Sequence, residues 1–233
     1  MNTRGKTVAV ILSAGSGTRM GEGVAKQQCL LLGRSLLSHT VRAFDHAQGI
    51  DGICLVVRSE DMPLAESIAA RCRKPVTLCI GAGDRQGSAR IGVRSLSDDV
   101  TYVAIHDGAR CLVTPQIIEK TVEKAWQTGA ACAVERVVDT VKTVNTCGQI
   151  VGTCERDTLR LAQTPQVFSR ALYEEALDHA QQQGLCVTDD CALVEVLGRE
   201  VSAVEHTDSN FKVTYKKDLF LAECILKERG IEA

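Results

Sequence analysis

The sequence predicts an α/β protein built on a mostly parallel sheet, and three observations point there. The apolar run from Val8 to Leu12 has the length of a buried strand and breaks into glycines at 15 and 17, where a strand's carboxyl end opens onto a ligand crevice. Further strand-like runs, at 52–57, 76–80 and 100–105, alternate with stretches that carry apolar residues at helical spacing. The run at 76–80 also ends in glycines, Gly81, Gly83 and Gly87, just ahead of a helical stretch.

Taken in order, Leu37, Val41 and Phe44 share one face of a helix over 35–44, the first crossover, with Gly49 as a stop. A second helix is expected from Pro63 to Cys72, and a third from Ala89 to Leu96 after the second glycine turn. The fourth run leads into His106, Asp107, Gly108 and Arg110. Thr114 and Pro115 then give the N-cap and first turn of a helix reaching Trp126. From Ala130 the pattern changes to alternating polar and apolar residues around a turn at Cys147, Gly148 and Gln149, which predicts a β-hairpin arm over 137–155. Nothing nearby in the sequence is suited to cover such an arm, so a second subunit is expected to do so. An extended X-Pro segment, 163–168, leads to a helix over 170–183. Thr188, Asp189 and Asp190 cap the next helix, a strand follows at 200–205 and an extended segment at 210–214, and a helix over 215–229 stops at Gly230. The expected organisation is a single domain over residues 1–233 carrying the arm.

Composition narrows the function. A formal charge of −2 across 233 residues lacks the basic surface that nucleic acid or an anionic membrane demands, so any anion site is local. No apolar run approaches the roughly 20 residues that span a bilayer, and no signal-peptide core follows the first residues, so a soluble cytoplasmic protein is expected. The 11 cysteines form no C-x-x-C pair and several fall inside apolar runs, which reads as free thiols acting as small hydrophobes in a reducing compartment.

The first glycine turn carries the strongest chemical signal. Gly15 and Gly17 allow backbone N–H groups to approach an anionic oxygen, and Arg19 and Lys26 add positive charge to the same loop. Walker A is excluded because Lys26 lies between Ala25 and Gln27, and the dinucleotide fingerprint fails at Met20. Arg85 and Ser88 at the second turn offer an arginine and a hydroxyl for a base, ribose or phosphate. Asp107, at the end of the fourth strand, is either a hard oxygen ligand for Mg²⁺ bridged to phosphate or a turn-stabilising acid before Gly108.

Together, residues 13–20 with Lys26 and Gln27, the run His106 to Arg110, Asp139 with Thr140, the run Gln163 to Phe168, Thr188 with Asp189 and the run Asn210 to Thr214 closely resemble the 2-C-methyl-D-erythritol 4-phosphate cytidylyltransferases. The resemblance covers nearly the whole chain. It implies a three-layer Rossmann-like nucleotidyltransferase fold, CTP as co-substrate and Mg²⁺ as cofactor. It implies Arg19 and Lys26 on the triphosphate, Asp107 on the metal, and a cytidine and phosphate cradle of Ala14, Gly15, Gly17, Ala82, Gly83 and Ser88. Arg156, Thr188 and Lys212 are implied on the acceptor phosphate side, with Thr140 on an arm that crosses to the other subunit of a homodimer. Arg19, Lys26, Arg156 and Lys212 are thereby the implied catalytic residues.

The chain departs from the family's usual pattern at Ala25 (proline), Gln28 (an aromatic), Ala82, Gly87 and Ala89 (glycine, aspartate, valine) and Cys111 (proline). None of these removes a charge assigned to the chemistry. Two rivals remain at this level, a pentitol phosphate cytidylyltransferase and a non-catalytic nucleotide-binding protein on the same scaffold. The Gly108–Ala109 pair with Arg85 and Gln86 favours the methylerythritol pattern over the first. The joint presence of Arg19, Lys26, Asp107 and Lys212 argues against the second. The loop 15–28 is expected to order around its nucleotide.

Overall fold

The computed structural model describes residues 5–15 and 29–231. Gly17, Arg19 and Lys26, with the expectation that their loop orders around nucleotide, lie outside the described residues.

Among the described residues a seven-stranded sheet runs in the order β11-β7-β10-β6-β1-β4-β5. Its strands are β1 (Lys6–Ser13), β4 (Gly52–Val57), β5 (Val76–Ile80), β6 (Val100–Asp107), β7 (Ala130–Arg136), β10 (Arg160–Ser169) and β11 (Ser202–Glu205). Pairings are parallel except where β10 meets β6 and β7. The remaining short strands form two hairpins, β2 (Leu30–Leu31) with β3 (Arg34–Ser35), and β8 (Lys142–Val144) with β9 (Ile150–Thr153).

The period-two alternation of β1 explains the layers. Val8, Val10 and Leu12 enter one apolar cluster, and Ala9 and Ile11 enter the other. The first cluster is closed by α3 (Arg85–Arg94), α5 (Arg170–Gln183) and α6 (Asp190–Val196); the second by α1 (Leu36–His46), α2 (Met62–Ala69) and α4 (Pro115–Thr128). Three layers result, as the resemblance implied. The last helix, α7 (Lys216–Glu228), packs outside them, its Ala222 and Leu226 against Leu31, Leu36 and Leu112.

Local chemistry sets the helix ends. Ser35 caps α1 by accepting from Ser38 N–H at 3.2 Å, and Leu37, Val41 and Phe44 are buried. Burying each contributes about 1.5–3 kcal/mol relative to exposure. Thr114 caps α4, Pro115 fills its first turn, and Gly129 ends it at φ +85°, in the left-handed region.

Several expected boundaries move. α3 begins at Arg85 rather than Ala89, because Asp84 caps it by accepting from Gly87 N–H at 2.7 Å. The cap of α6 is Asp189, accepting from Ala192 N–H at 3.0 Å, rather than Thr188, which is exposed. The strand near 200 begins at Ser202. The segment 163–168 is part of the interior strand β10 rather than a bare X-Pro extension. Its ladder to β7 is interrupted between Ala162 and Gln166, where Pro165 has no N–H to offer and the Thr164–Pro165 peptide is cis. The hairpin arm forms, with shorter strands than the pattern implied, and Val144, Ile150 and Val151 are exposed along it.

β1 is joined through α1 to β4 on one side, while β6 pairs with its other side. The order therefore reverses between β1 and β6, and the crevice beyond their carboxyl ends is where a sheet of this kind takes its ligand.

Candidate active site

Asp107 is the last residue of β6 and projects into that crevice edge, with its side chain mostly buried. Gly108 N–H donates to the carbonyl of Leu12 at 2.8 Å, which ties the ends of β1 and β6 together. A Cβ on Gly108 would lie 3.1 Å from that oxygen and from Ser13, so the close approach depends on glycine.

Among the described residues three cations surround the Asp107 carboxylate. Arg85 Nε is 3.2 Å from Oδ1, and Lys212 Nζ and Arg110 Nε are 2.9 Å and 3.6 Å from Oδ2. Burial by itself would raise the carboxyl's pKa, but Lys212, Arg85 and Arg110 outweigh it and hold the group well below the usual carboxylate range. Asp107 is an anion at any physiological pH.

A buried hydrogen-bond chain fixes this geometry. Asp107 N–H donates to Thr164 Oγ1 at 3.1 Å, and the Thr164 hydroxyl meets His106 Nδ1 at 3.0 Å. His106 Nε2 faces the Arg110 carbonyl at 3.3 Å. Since a carbonyl only accepts, a proton is on Nε2, and a neutral ring then accepts the Thr164 hydroxyl at Nδ1. Burial agrees, pushing the His106 pKa down to about 3. Asn210 then braces the far segment: its Nδ2 donates to the Thr164 carbonyl at 2.9 Å, and its own carbonyl accepts from Arg110 Nη1 at 3.0 Å. With Val213 N–H on the Ala109 carbonyl at 2.9 Å, Lys212 is held between two anchored neighbours.

The end of β1, at Ala14 and Gly15, meets the second glycine turn beside this cluster. A Cβ on Gly81 would collide with Ala14 Cβ and lie 2.8 Å from Ser88 Oγ, so the end of β5 rests against the end of β1. Ala82 N–H donates to Ser88 Oγ at 3.1 Å, and the Ser88 hydroxyl donates to the Asp84 carbonyl at 2.8 Å. Ser88 is buried, so its hydroxyl shapes the turn. A Cβ on Gly83 would meet nothing within 4 Å.

The structure thus brings Ala14, Gly15, Ala82, Gly83, Ser88, Asp107 and Lys212 to one end of the sheet. Thr140 lies on the arm and Arg156 in the short turn just after it, both exposed, with Arg156 Nη1 donating to the Val138 carbonyl at 2.9 Å. Among the described residues no hydrogen bond or ion pair joins Thr140, Arg156 or Thr188 to the Asp107 cluster within this chain. The sequence alone points to no site role for His106, Thr164, Gln166, Tyr173 or Asn210, and only to a capping role for Asp190; all six are buried here. The available signal was polar residues set inside apolar strand runs, such as Thr164 and Gln166 before Val167 and Phe168. Arg85, expected toward a ligand, is instead tied to two acids, with Nη2 2.7 Å from Asp190 Oδ2.

A glycine turn packed on the end of β1 beside one cation-ringed carboxylate, at the switch point of a mostly parallel sheet, defines a nucleotidyltransferase-like α/β protein. Residues 7–228 match the family described as 2-C-methyl-D-erythritol 4-phosphate cytidylyltransferase. A relative of that name from Desulforamulus reducens is 40% identical over 229 residues, covering 97% of this chain and 98% of its own. Another, from Synechocystis sp., is 40% identical over 226 residues, covering 96% and 98%. A solved 4-diphosphocytidyl-2C-methyl-D-erythritol synthase from Anaerococcus prevotii superposes with a TM-score of 0.85 at 28% identity, covering 96% of this chain and 99% of that one. The chain belongs to the 2-C-methyl-D-erythritol 4-phosphate cytidylyltransferase family, and so is a CTP-dependent nucleotidyltransferase of isoprenoid precursor synthesis.

Proposed function

We propose that the Asp107 crevice is where the cytidylyl group passes from CTP to methylerythritol phosphate. An anionic oxygen of the acceptor phosphate attacks the α-phosphorus of CTP, a new P–O bond forms, and the bond to the β-phosphate breaks with its electron pair leaving on pyrophosphate. No general base is needed, because a phosphate monoester is already anionic near neutral pH. The chain's task is positioning and charge neutralisation.

The single observation that carries this reading is the carboxylate of Asp107 with Lys212 at 2.9 Å, at the end of β6 beside the second glycine turn. Asp107 suits Mg²⁺ in its donor chemistry: this ion is commonly held by one or two carboxylates, with substrate phosphates completing its shell. Among the described residues no cluster of three or more His, Cys, Asp or Glu converges, so a cation here would be shared with nucleotide phosphates. When bound, Mg²⁺ would neutralise phosphate charge beside Asp107. Arg19 and Lys26 are assigned to the triphosphate, with Ala14, Gly15, Gly17, Ala82, Gly83 and Ser88 forming the cytidine and phosphate cradle.

Arg156, Thr188 and Lys212 are assigned to the acceptor, with Thr140 supplied by the arm of a second copy. Exposure favours that exchange: Val138 is 79% exposed, Val144 59%, Ile150 67% and Val151 62%, a row of apolar side chains left uncovered among the described residues. Residues 1–233 act as one domain, with 137–155 as the dimerisation arm, in the cytoplasm and without nucleic acid or membrane as partner. No helix among the described residues is long and apolar enough to cross a membrane. Pyrophosphate release from CTP and Mg²⁺, compared between methylerythritol phosphate and ribitol 5-phosphate as acceptors, tests the assignment. Release with the first alone is expected; release only with the second would reassign the acceptor pocket, and release with neither would leave a nucleotide-binding protein.

A further inference from the structure

Arg85 meets Asp107 through one nitrogen only, and the reason lies on its other side. An unopposed guanidinium beside a carboxylate engages it with two parallel N–H groups. Here the fork is divided: Nε is 3.2 Å from Asp107 Oδ1, while Nη2 is 2.7 Å from Asp190 Oδ2. Asp190 is 1% exposed and is fixed from three directions. Its Oδ1 accepts from the Tyr173 hydroxyl at 2.6 Å, its N–H donates to Gln166 Oε1 at 3.0 Å, and it opens α6 directly after the Asp189 cap. Tyr173 is itself fully buried and stacked on Phe168, with ring centroids 5.2 Å apart. Burying an acid this deeply is costly unless it balances a charge, and the charge in reach is Arg85.

We propose that Asp190 is a positioning residue that shares the charge of Arg85, holds it to a single hydrogen bond on Asp107, and so eases the approach of a divalent cation to that carboxylate. Three cations around a lone acid would oppose a fourth; a second acid reduces the excess and limits Arg85 to one nitrogen on Asp107. Through Tyr173, Asp190, Arg85 and Asp107 the acceptor-side helix α6 is also joined to α3, the helix that opens at the second glycine turn. The inference rests on the reading of Asp107 as the metal ligand, and its test separates the two.

The test is binding of Mn²⁺ in the presence of CTP and without acceptor, read by water-proton relaxation enhancement, which reports protein-held metal rather than turnover. Asp190→Asn is expected to weaken Mn²⁺ binding about ten-fold, as Arg85 closes its fork on Asp107. Adding Arg85→Gln to Asp190→Asn is expected to restore binding, since the competing charge is gone. Tyr173→Phe shifts it in the same direction as Asp190→Asn but less, and serves if Asp190→Asn does not fold. A folded Asp190→Asn, or Tyr173→Phe in its place, that binds Mn²⁺ like the parent overturns the inference, as does a double variant no tighter than Asp190→Asn alone. Asp107→Asn is the separating control: abolished binding there upholds the metal reading whatever the Asp190 variants do, and unchanged binding overturns both.

Discussion

Lys212 Nζ lies 2.9 Å from Asp107 Oδ2 across 105 residues of sequence. The pair exists because Asn210 and Val213 pin the segment on either side of the lysine, to Thr164 and Ala109. Lys212 is 36% exposed at its side chain, while Asp107 is 11% exposed, so the lysine is the partner that can turn to an incoming phosphate. Lys212→Gln is therefore expected to lower kcat/KM for the acceptor by roughly 10- to 100-fold, the worth of one charged hydrogen bond, and to change CTP binding without acceptor by less than about three-fold. Calorimetry of CTP binding beside steady-state kinetics separates the two effects. An equal loss on both substrates would place Lys212 on the nucleotide instead.

The contact between the end of β1 and the second glycine turn makes Gly81 a specific handle on the nucleotide side. Gly81→Ala drives a methyl group against Ala14 and Ser88, and overpacking of this kind costs about 1–3 kcal/mol of stability. The KM for CTP should rise at least about ten-fold while the acceptor KM moves little, because the displaced groups belong to the assigned cradle. A variant that loses stability but keeps its CTP affinity would show that this contact serves only packing.

The arm gives a prediction about assembly. Val144→Asp with Ile150→Asp replaces two exposed apolar side chains by charges that cannot be buried against a partner. Sedimentation equilibrium should then find a folded monomer, with activity lost. A dimer that persists with parental activity would place the subunit contact elsewhere.

His106 sets a pH dependence of stability. Its folded pKa, about 3, lies below the ordinary histidine value of 6.5, so the folded state takes up fewer protons than the unfolded one between those limits. Stability from this group is complete above pH 6.5 and is lost as pH falls toward 3, with a slope of about 1.4 kcal/mol per pH unit for one excluded proton. Buried His39, whose pKa burial also lowers, adds in the same sense. Urea midpoints measured from pH 7.5 to pH 4.5 should fall steadily below pH 6.5, and less steeply in His106→Gln. A flat profile for the parent would contradict the neutral buried imidazole.

How much of this was legible depends on where each cause lies. The runs that became β1 and β4 are legible because a strand buried on both faces must be continuously apolar; β5, the half-exposed edge strand, is legible from its short apolar run and the Gly81 that follows it. The bounds of α5, 170–183, were read as the structure has them. β10 was not recognised as an interior strand, because Pro165 argues against one and the ladder irregularity that admits it is a tertiary feature. Asp107 and Lys212 were found through motif and resemblance. The division of Arg85 between Asp107 and Asp190 could not be, since three residues on separate elements meet only once the sheet, α3 and α6 have packed. Asp190 itself already had a sufficient local explanation as a first-turn acid.

Asp107 is the residue on which the proposed chemistry turns. Pyrophosphate release should be measured for the parent and for Asp107→Asn with CTP, Mg²⁺ and methylerythritol phosphate at saturation, alongside circular dichroism to establish that both are folded. Loss of at least about 100-fold in kcat in a folded variant is the predicted result, in keeping with removal of one preorganised charge from a phosphoryl-transfer site. A folded Asp107→Asn within about three-fold of the parent would place the chemistry elsewhere in the molecule.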